Sequence, residues 1–119
     1  MRAARRGSVL VVEDDEGVRA LLVSVLEHQG HRAVSAGTGE EALTLLGDER
    51  ADLAVIDIGL PGMDGFAVAD RLAPDVPVII VTGDPVGAYA QASSRSIDYQ
   101  VLPKPIAPEL FEHAVSAAL

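Results

Sequence analysis

The chain contains no cysteine. That excludes disulfides, thiolate metal sites and cysteine nucleophiles at once. Aromatics are almost as scarce. Two phenylalanines and two tyrosines are too few for a nucleic-acid stacking platform. Basic residues are outnumbered, 9 against 18 acidic. Three of the nine are Arg2, Arg5 and Arg6, so from Gly7 onward the balance is six against 18, or −12. Such a body repels phosphate backbones, and no nucleic-acid partner is expected. No apolar run approaches membrane-spanning length, and only SVLVV follows the arginines, so neither a membrane segment nor a signal peptide is expected. The composition is that of a soluble, cytoplasmic protein.

What remains is 119 residues, nearly half of them apolar, which is one domain with a real core. Residues 1–7 are expected to form a flexible tail and 8–119 the domain. Short apolar runs alternate with amphipathic stretches. Ser8–Val12 is a strand. Asp14 or Asp15 caps a helix through about Gln29, with Val18, Leu21, Leu22 and Val25 on one face and Gly30 as its stop. Arg32–Ser35 is a weak strand. Thr38 and Glu41 have capping-box spacing ahead of Ala42, Leu45 and Leu46, and Gly47 ends that helix. Asp52–Asp57 is a third strand, and Asp64 caps a short helix to about Leu72. Val76–Thr82 is β-branched enough for a strand buried on both faces, with Pro77 at its start. Asp84-Pro85 opens a fourth helix. Tyr99–Leu102 is a fifth strand. Pro108 opens a last helix, with Leu110, Phe111, Ala114, Val115 and Ala118 facing inward.

Strands alternating with helices at this spacing require crossovers and a parallel sheet. The expected fold is an open three-layer α/β sandwich. The last helix runs to the final residue, so no output domain is expected.

Ligands of such sheets sit at the carboxyl ends of the strands. There the chain places Glu13, Asp14 and Asp15, then Asp57, then Thr82, Gly83 and Asp84, then Lys104, the single lysine. Like charges about 4 Å apart repel by roughly 4 kcal/mol at an effective dielectric near 20. Glu13, Asp14 and Asp57 therefore need a counter-charge, which a divalent cation and the lysine ammonium would supply. Oxygen-only ligands favour a hard ion such as Mg²⁺, and such an ion suits phosphoryl transfer. Asp57 would then be the nucleophile, with Thr82 and Lys104 paired to phosphoryl oxygens. A lone Asp at a strand end is usually a turn residue; the company Asp57 keeps changes that reading. His28, His31 and His113 have no ligand spacing and are expected at the surface. Phe66, Phe111 and Tyr89 are expected to pack.

Four segments, VLVVEDD at 9–15, AVIDIGLPGMDG at 54–65, PVIIVTG at 77–83 and LPKPI at 102–106, resemble the receiver domains of two-component response regulators. The resemblance spans nearly the whole chain, in order. It implies a flavodoxin-like sheet of order 2-1-3-4-5. It implies that Asp57 accepts a phosphoryl group from a histidine kinase or histidine phosphotransfer protein. Asp14, Asp57 and the Gly59 carbonyl would bind Mg²⁺, with Glu13 acting through water. Thr82 and Lys104 would contact the phosphoryl group, Lys104–Pro105 would be cis, and Gly83 would leave the group reachable. Pro61 and Gly65 would shape the turn into the third helix, and Gly59 and Asp84 would tune hydrolysis. Phosphorylation would switch contacts with a downstream protein, in a monomer or weak dimer. Asp15 is a helix cap in this reading.

Two departures stand out. The switch aromatic expected three residues before the lysine is Val101 here, with Tyr99 on the same side of the strand. The fourth helix carries Gly87, Ser93, Ser94 and Ser96, all poor helix formers, and is expected to be mobile or partly unwound. The departure at Val101 keeps one rival open, a degenerate receiver used as a phosphorylation-independent docking module. A metal-dependent aspartyl phosphatase would need a second acid where Gly59 stands, and a flavin module would not put acids at 13–15.

Overall fold

The structure, a computed structural model, describes residues 7–47, 50–60, 62–72 and 74–119. Ten elements alternate in order: β1 (Ser8–Val12), α1 (Glu16–His28), β2 (Arg32–Ala36), α2 (Gly39–Leu46), β3 (Leu53–Asp57), α3 (Gly65–Ala69), β4 (Val78–Thr82), α4 (Pro85–Ala92), β5 (Tyr99–Pro103) and α5 (Pro108–Ala118). The strands form one sheet in the order β2-β1-β3-β4-β5, parallel throughout. Both the three-layer architecture and the strand order match expectation.

Side-chain alternation divides the core in two. Val9, Val11, Leu53, Val55, Ile79 and Val81 pack with Leu22 and Leu26 of α1 and Phe111, Ala114 and Val115 of α5. Leu10, Val12, Ala54, Ile56, Val78 and Ile80 pack on the other face with Ala42, Phe66, Val68, Ala88 and Ala92. Strands covered on both faces need continuous apolar runs, and β3 and β4 are buried at every residue.

Four helices begin on a side chain that accepts a backbone N–H: Asp15 from Val18, Thr38 from Glu41, Asp64 from Ala67 and Asp84 from Gly87. Glu41 completes its half of the cap one residue early, accepting from the Gly37 amide at 3.0 Å. Beyond α4, Arg95 donates to Asp70 at 3.0 Å and lies 4.4 Å from the centre of the Phe66 ring, tying the end of α4 to α3.

Several expectations shift. α3 is a five-residue helix that ends at Ala69, with turns to Leu72, and β4 begins at Val78, one residue after Pro77. α4 stops at Ala92, where the Ser93 and Ser94 hydroxyls bond back to the Ala90 and Gln91 carbonyls. In α1 the buried stripe is Leu22 and Leu26, while Leu21 is exposed. Leu110 is exposed as well, since the α5 stripe runs through Phe111, Ala114 and Val115. Tyr89 is half exposed, its ring 6.1 Å from that of Tyr99. His31 is not a surface residue. It is buried, and its Nδ1 accepts the Gly7 amide at 3.1 Å. Gly7, counted with the tail, is thus part of the fold, and its carbonyl accepts from the Arg32 amide. Arg2, Arg5 and Arg6 lie outside the described residues. No helix among the described residues is long and apolar enough to cross a membrane.

Candidate functional site

Register assembles the site. Val12 pairs with Ile56, so Glu13 emerges beside Asp57; Asp57 pairs with Val81, and Thr82 with Pro103, so Lys104 follows next in line. The Lys104 amide donates to the Thr82 carbonyl at 2.8 Å, carrying the alignment one residue past β5. The Lys104–Pro105 bond is cis.

Glu13 is fully buried, Asp57 and Thr82 nearly so, and Asp14 is exposed. Lys104 supplies the counter-charge. Its Nζ lies 2.7 Å from Glu13 Oε1 and 3.1 Å from Asp57 Oδ2. The Glu13 contact is the shorter of the two. The other Glu13 oxygen accepts the Asp15 amide at 3.1 Å, and the other Asp57 oxygen accepts the Gly59 amide at 2.9 Å.

Charge is partitioned unevenly among these groups. Burial raises the Glu13 carboxyl to about 7, against the pull of Lys104 and the Asp15 amide. Burial also works against Asp57, but hydrogen bonds from Gly59, Glu13 and Lys104 outweigh it and hold Asp57 below the ordinary carboxylate range. Lys104 is partly desolvated, yet its two acidic neighbours keep its pKa above the usual lysine value. Asp57 is therefore the ionised carboxylate of the group, and Glu13 the one that holds a proton most readily.

Carboxylate oxygens of Glu13, Asp14 and Asp57 all lie within 4.8 Å of one another. Three hard oxygen donors converging at strand ends, one pair already bridged by an ammonium, fit a small divalent cation. Gly59 is held at the site by its amide. Thr82 Oγ1 accepts the Asp84 amide at 2.9 Å. A side chain at Gly83 would meet nothing within 4 Å, so the approach beside Thr82 is open. At Gly65 the opposite holds. A Cβ there would stand 2.5 Å from the Asp57 carbonyl oxygen and 2.6 Å from Ile56 Cγ2, so only glycine lets α3 start this close to the end of β3. Pro61, expected to shape the same turn, lies outside the described residues. Asp15 caps α1.

Sequence reasoning missed Arg19. It donates to the Glu13 carbonyl at 2.8 Å, pinning the peptide that joins the two acids. The signal was available: a basic residue in the second turn of the helix that follows those acids.

The response regulator receiver domain family model matches residues 9–116. The chain belongs to that family. It is 37% identical over 116 residues to the transcriptional regulatory protein AfsQ1 of Streptomyces coelicolor, covering 94% of this chain and 51% of that protein. The chain spans about half the length, or less, of the curated relatives it matches. Among solved structures, Brucella abortus NtrX is 28% identical with a TM-score of 0.86, over 97% of this chain and 27% of that one. TrrA of Thermotoga maritima, solved in complex with Mg²⁺ and BeF, is 29% identical with a TM-score of 0.82 over 94% and 98%. The receiver is thus a signalling domain of two-component systems, and the four segments singled out in its sequence fall in the matched region.

Proposed function

We propose that this receiver is a working phosphoacceptor. Asp57 takes a phosphoryl group from the phosphohistidine of a histidine kinase or histidine phosphotransfer protein, in a two-component or phosphorelay pathway of the cytoplasm. The observation that carries this reading is the state of Asp57: a nearly buried carboxylate held ionised between the Gly59 amide and the Lys104 ammonium. One Asp57 oxygen forms the new bond to phosphorus as the phosphorus–nitrogen bond of the donor imidazole breaks, and the imidazole leaves with that electron pair.

Lys104 is placed to turn from Asp57 to an oxygen of the transferred group. The Thr82 hydroxyl serves a second phosphoryl oxygen. Glu13, Asp14 and Asp57, with the Gly59 carbonyl, would hold Mg²⁺. Bound there, the ion neutralises charge on the phosphoryl oxygens. Glu13, buried against Lys104, would act on the ion through water. The acyl phosphate then alters contacts with a protein partner, as monomer or weak dimer, and is slowly hydrolysed by the same groups.

Incubation with Mg²⁺ and acetyl phosphate, followed by intact mass, tests this directly. A single phosphoryl adduct is expected on the wild type, with none on Asp57→Asn and none when the metal is chelated. A folded, Mg²⁺-binding wild type that takes no adduct would instead assign the chain to phosphorylation-independent docking.

A further inference from the structure

Asp84 touches two things at once. Its amide donates to Thr82 Oγ1 at 2.9 Å, and its carboxylate accepts the Gly87 amide at 3.1 Å to cap α4. One residue therefore grips the site hydroxyl with its backbone and the start of a helix with its side chain. A hydroxyl has one proton and two lone pairs. With a lone pair of Thr82 engaged by Asp84, the proton remains free for another acceptor, and the position of the Asp84 amide limits where that proton can point. The Asp84 backbone, at φ −126° and ψ 75°, is bent away from the extended geometry of the caps at Asp15, Thr38 and Asp64.

Gly87 makes this arrangement possible. A Cβ there would collide with Asp84 Oδ2 and stand 2.9 Å from Asp84 Cγ. Helix propensity alone favours alanine over glycine by about 1 kcal/mol at such a position. Here an alanine would evict the capping carboxylate.

We propose that Asp84 and Gly87 are positioning residues for Thr82: the α4 cap fixes the Asp84 amide, and that amide aims the Thr82 hydroxyl at the phosphoryl group on Asp57. The proposal rests on the phosphoacceptor reading above. Coupling between two sites is reciprocal. Whatever clamps the first turn of α4 readies Thr82, and drawing Thr82 onto a phosphoryl oxygen tightens that turn. This route needs no aromatic ring at position 101.

Asp84 is also a charge beside the site, and that is the rival cause. Asparagine separates the two, because it caps a helix about as well as aspartate and carries no charge. The initial rate of adduct formation from acetyl phosphate and Mg²⁺ would be measured for wild type, Asp84→Asn, Asp84→Ala, Gly87→Ala and the Ala/Ala double variant. Hydrogen exchange over residues 85–92 and the urea midpoint would be recorded on the same samples. Removing one donor aimed at developing charge typically costs about 10²–10³ in rate, and a donor merely misaimed loses part of that, about tenfold. Asp84→Ala and Gly87→Ala should each slow the adduct about tenfold and speed α4 exchange. Asp84→Asn should stay within about twofold of wild type, and the double variant should be no slower than Asp84→Ala. If Asp84→Asn matches Asp84→Ala, charge and not the cap carries the effect. If both alanine variants react at the wild-type rate while α4 exchanges faster, the cap does not reach Thr82. Either result overturns the proposal. Should Gly87→Ala fail to fold, the Asp84 pair decides alone. A wild type without adduct would sink the phosphoacceptor reading itself.

Discussion

The two sides of the site are built differently. On the β1–β3 side, every acid but the exposed Asp14 is tied down. Glu13 is held by Lys104 and the Asp15 amide, its carbonyl by Arg19, and Asp57 by Gly59 and Lys104. On the β4–β5 side, α4 buries only Ala88 and Ala92, no β5 residue is fully buried, and Val86 and Tyr89 stand in solvent. Burial of an alanine removes far less apolar surface from water than burial of a leucine or isoleucine, and stabilisation scales with that area. The contrast suggests a division of labour. One side is held by ion pairs and hydrogen bonds, the other by little buried apolar surface.

The largest effect should come from removing the tie that spans the acids. Lys104→Ala leaves Glu13 fully buried without its ammonium and should cost about 1–3 kcal/mol in urea unfolding, below the range for fully buried pairs because Lys104 keeps some contact with water. Adding Glu13→Gln should restore most of it. No loss in the single variant would erase the distinction between the sides.

Hydrogen exchange sharpens the same contrast without mutation. Amides of α4 should exchange well ahead of those in α1 and α5, because local opening is cheapest where few large side chains are buried. Equal protection across the three helices would mean that α4 is no weaker than its neighbours.

The smallest effect is pH-dependent and should fall away from α4. Burial lowers the pKa of His31, and its Nδ1 must be unprotonated to accept from Gly7. The folded state thus binds the proton less readily than the unfolded chain. The stability His31 contributes is complete above the ordinary histidine value of 6.5 and is lost as pH falls through it and below. The urea midpoint of wild type should decline over that window relative to His31→Gln, with faster exchange confined to β1 and β2.

The five strands and the residues of the site could be read from sequence because both are carried by local pattern. β-branched runs mark β3 and β4, and each ends in the polar residue that register then brings together. Contacts set by tertiary geometry could not be read. His31 follows a glycine and matches no motif; its bond from the Gly7 amide is a long-range contact that local pattern does not show. Leu21 and Leu26 trade places because the cap at Asp15 sets where α1 starts while packing against β1 and β3 decides which stripe is covered. Leu110 lies four residues before Ala114, so helical spacing groups it with that face, and the packing of α5 leaves it exposed. The bond from Asp84 to Thr82 depends on a loop path that pattern does not encode.

Lys104 is the single lysine of the sequence, and in the structure its amine is spoken for by two carboxylates at the centre of the site. Amine chemistry on the side chains of this protein therefore has one target. Acylation, reductive methylation or attachment to an activated surface would not decorate an indifferent exterior. Each would be directed to the one side chain that bridges Glu13 and Asp57.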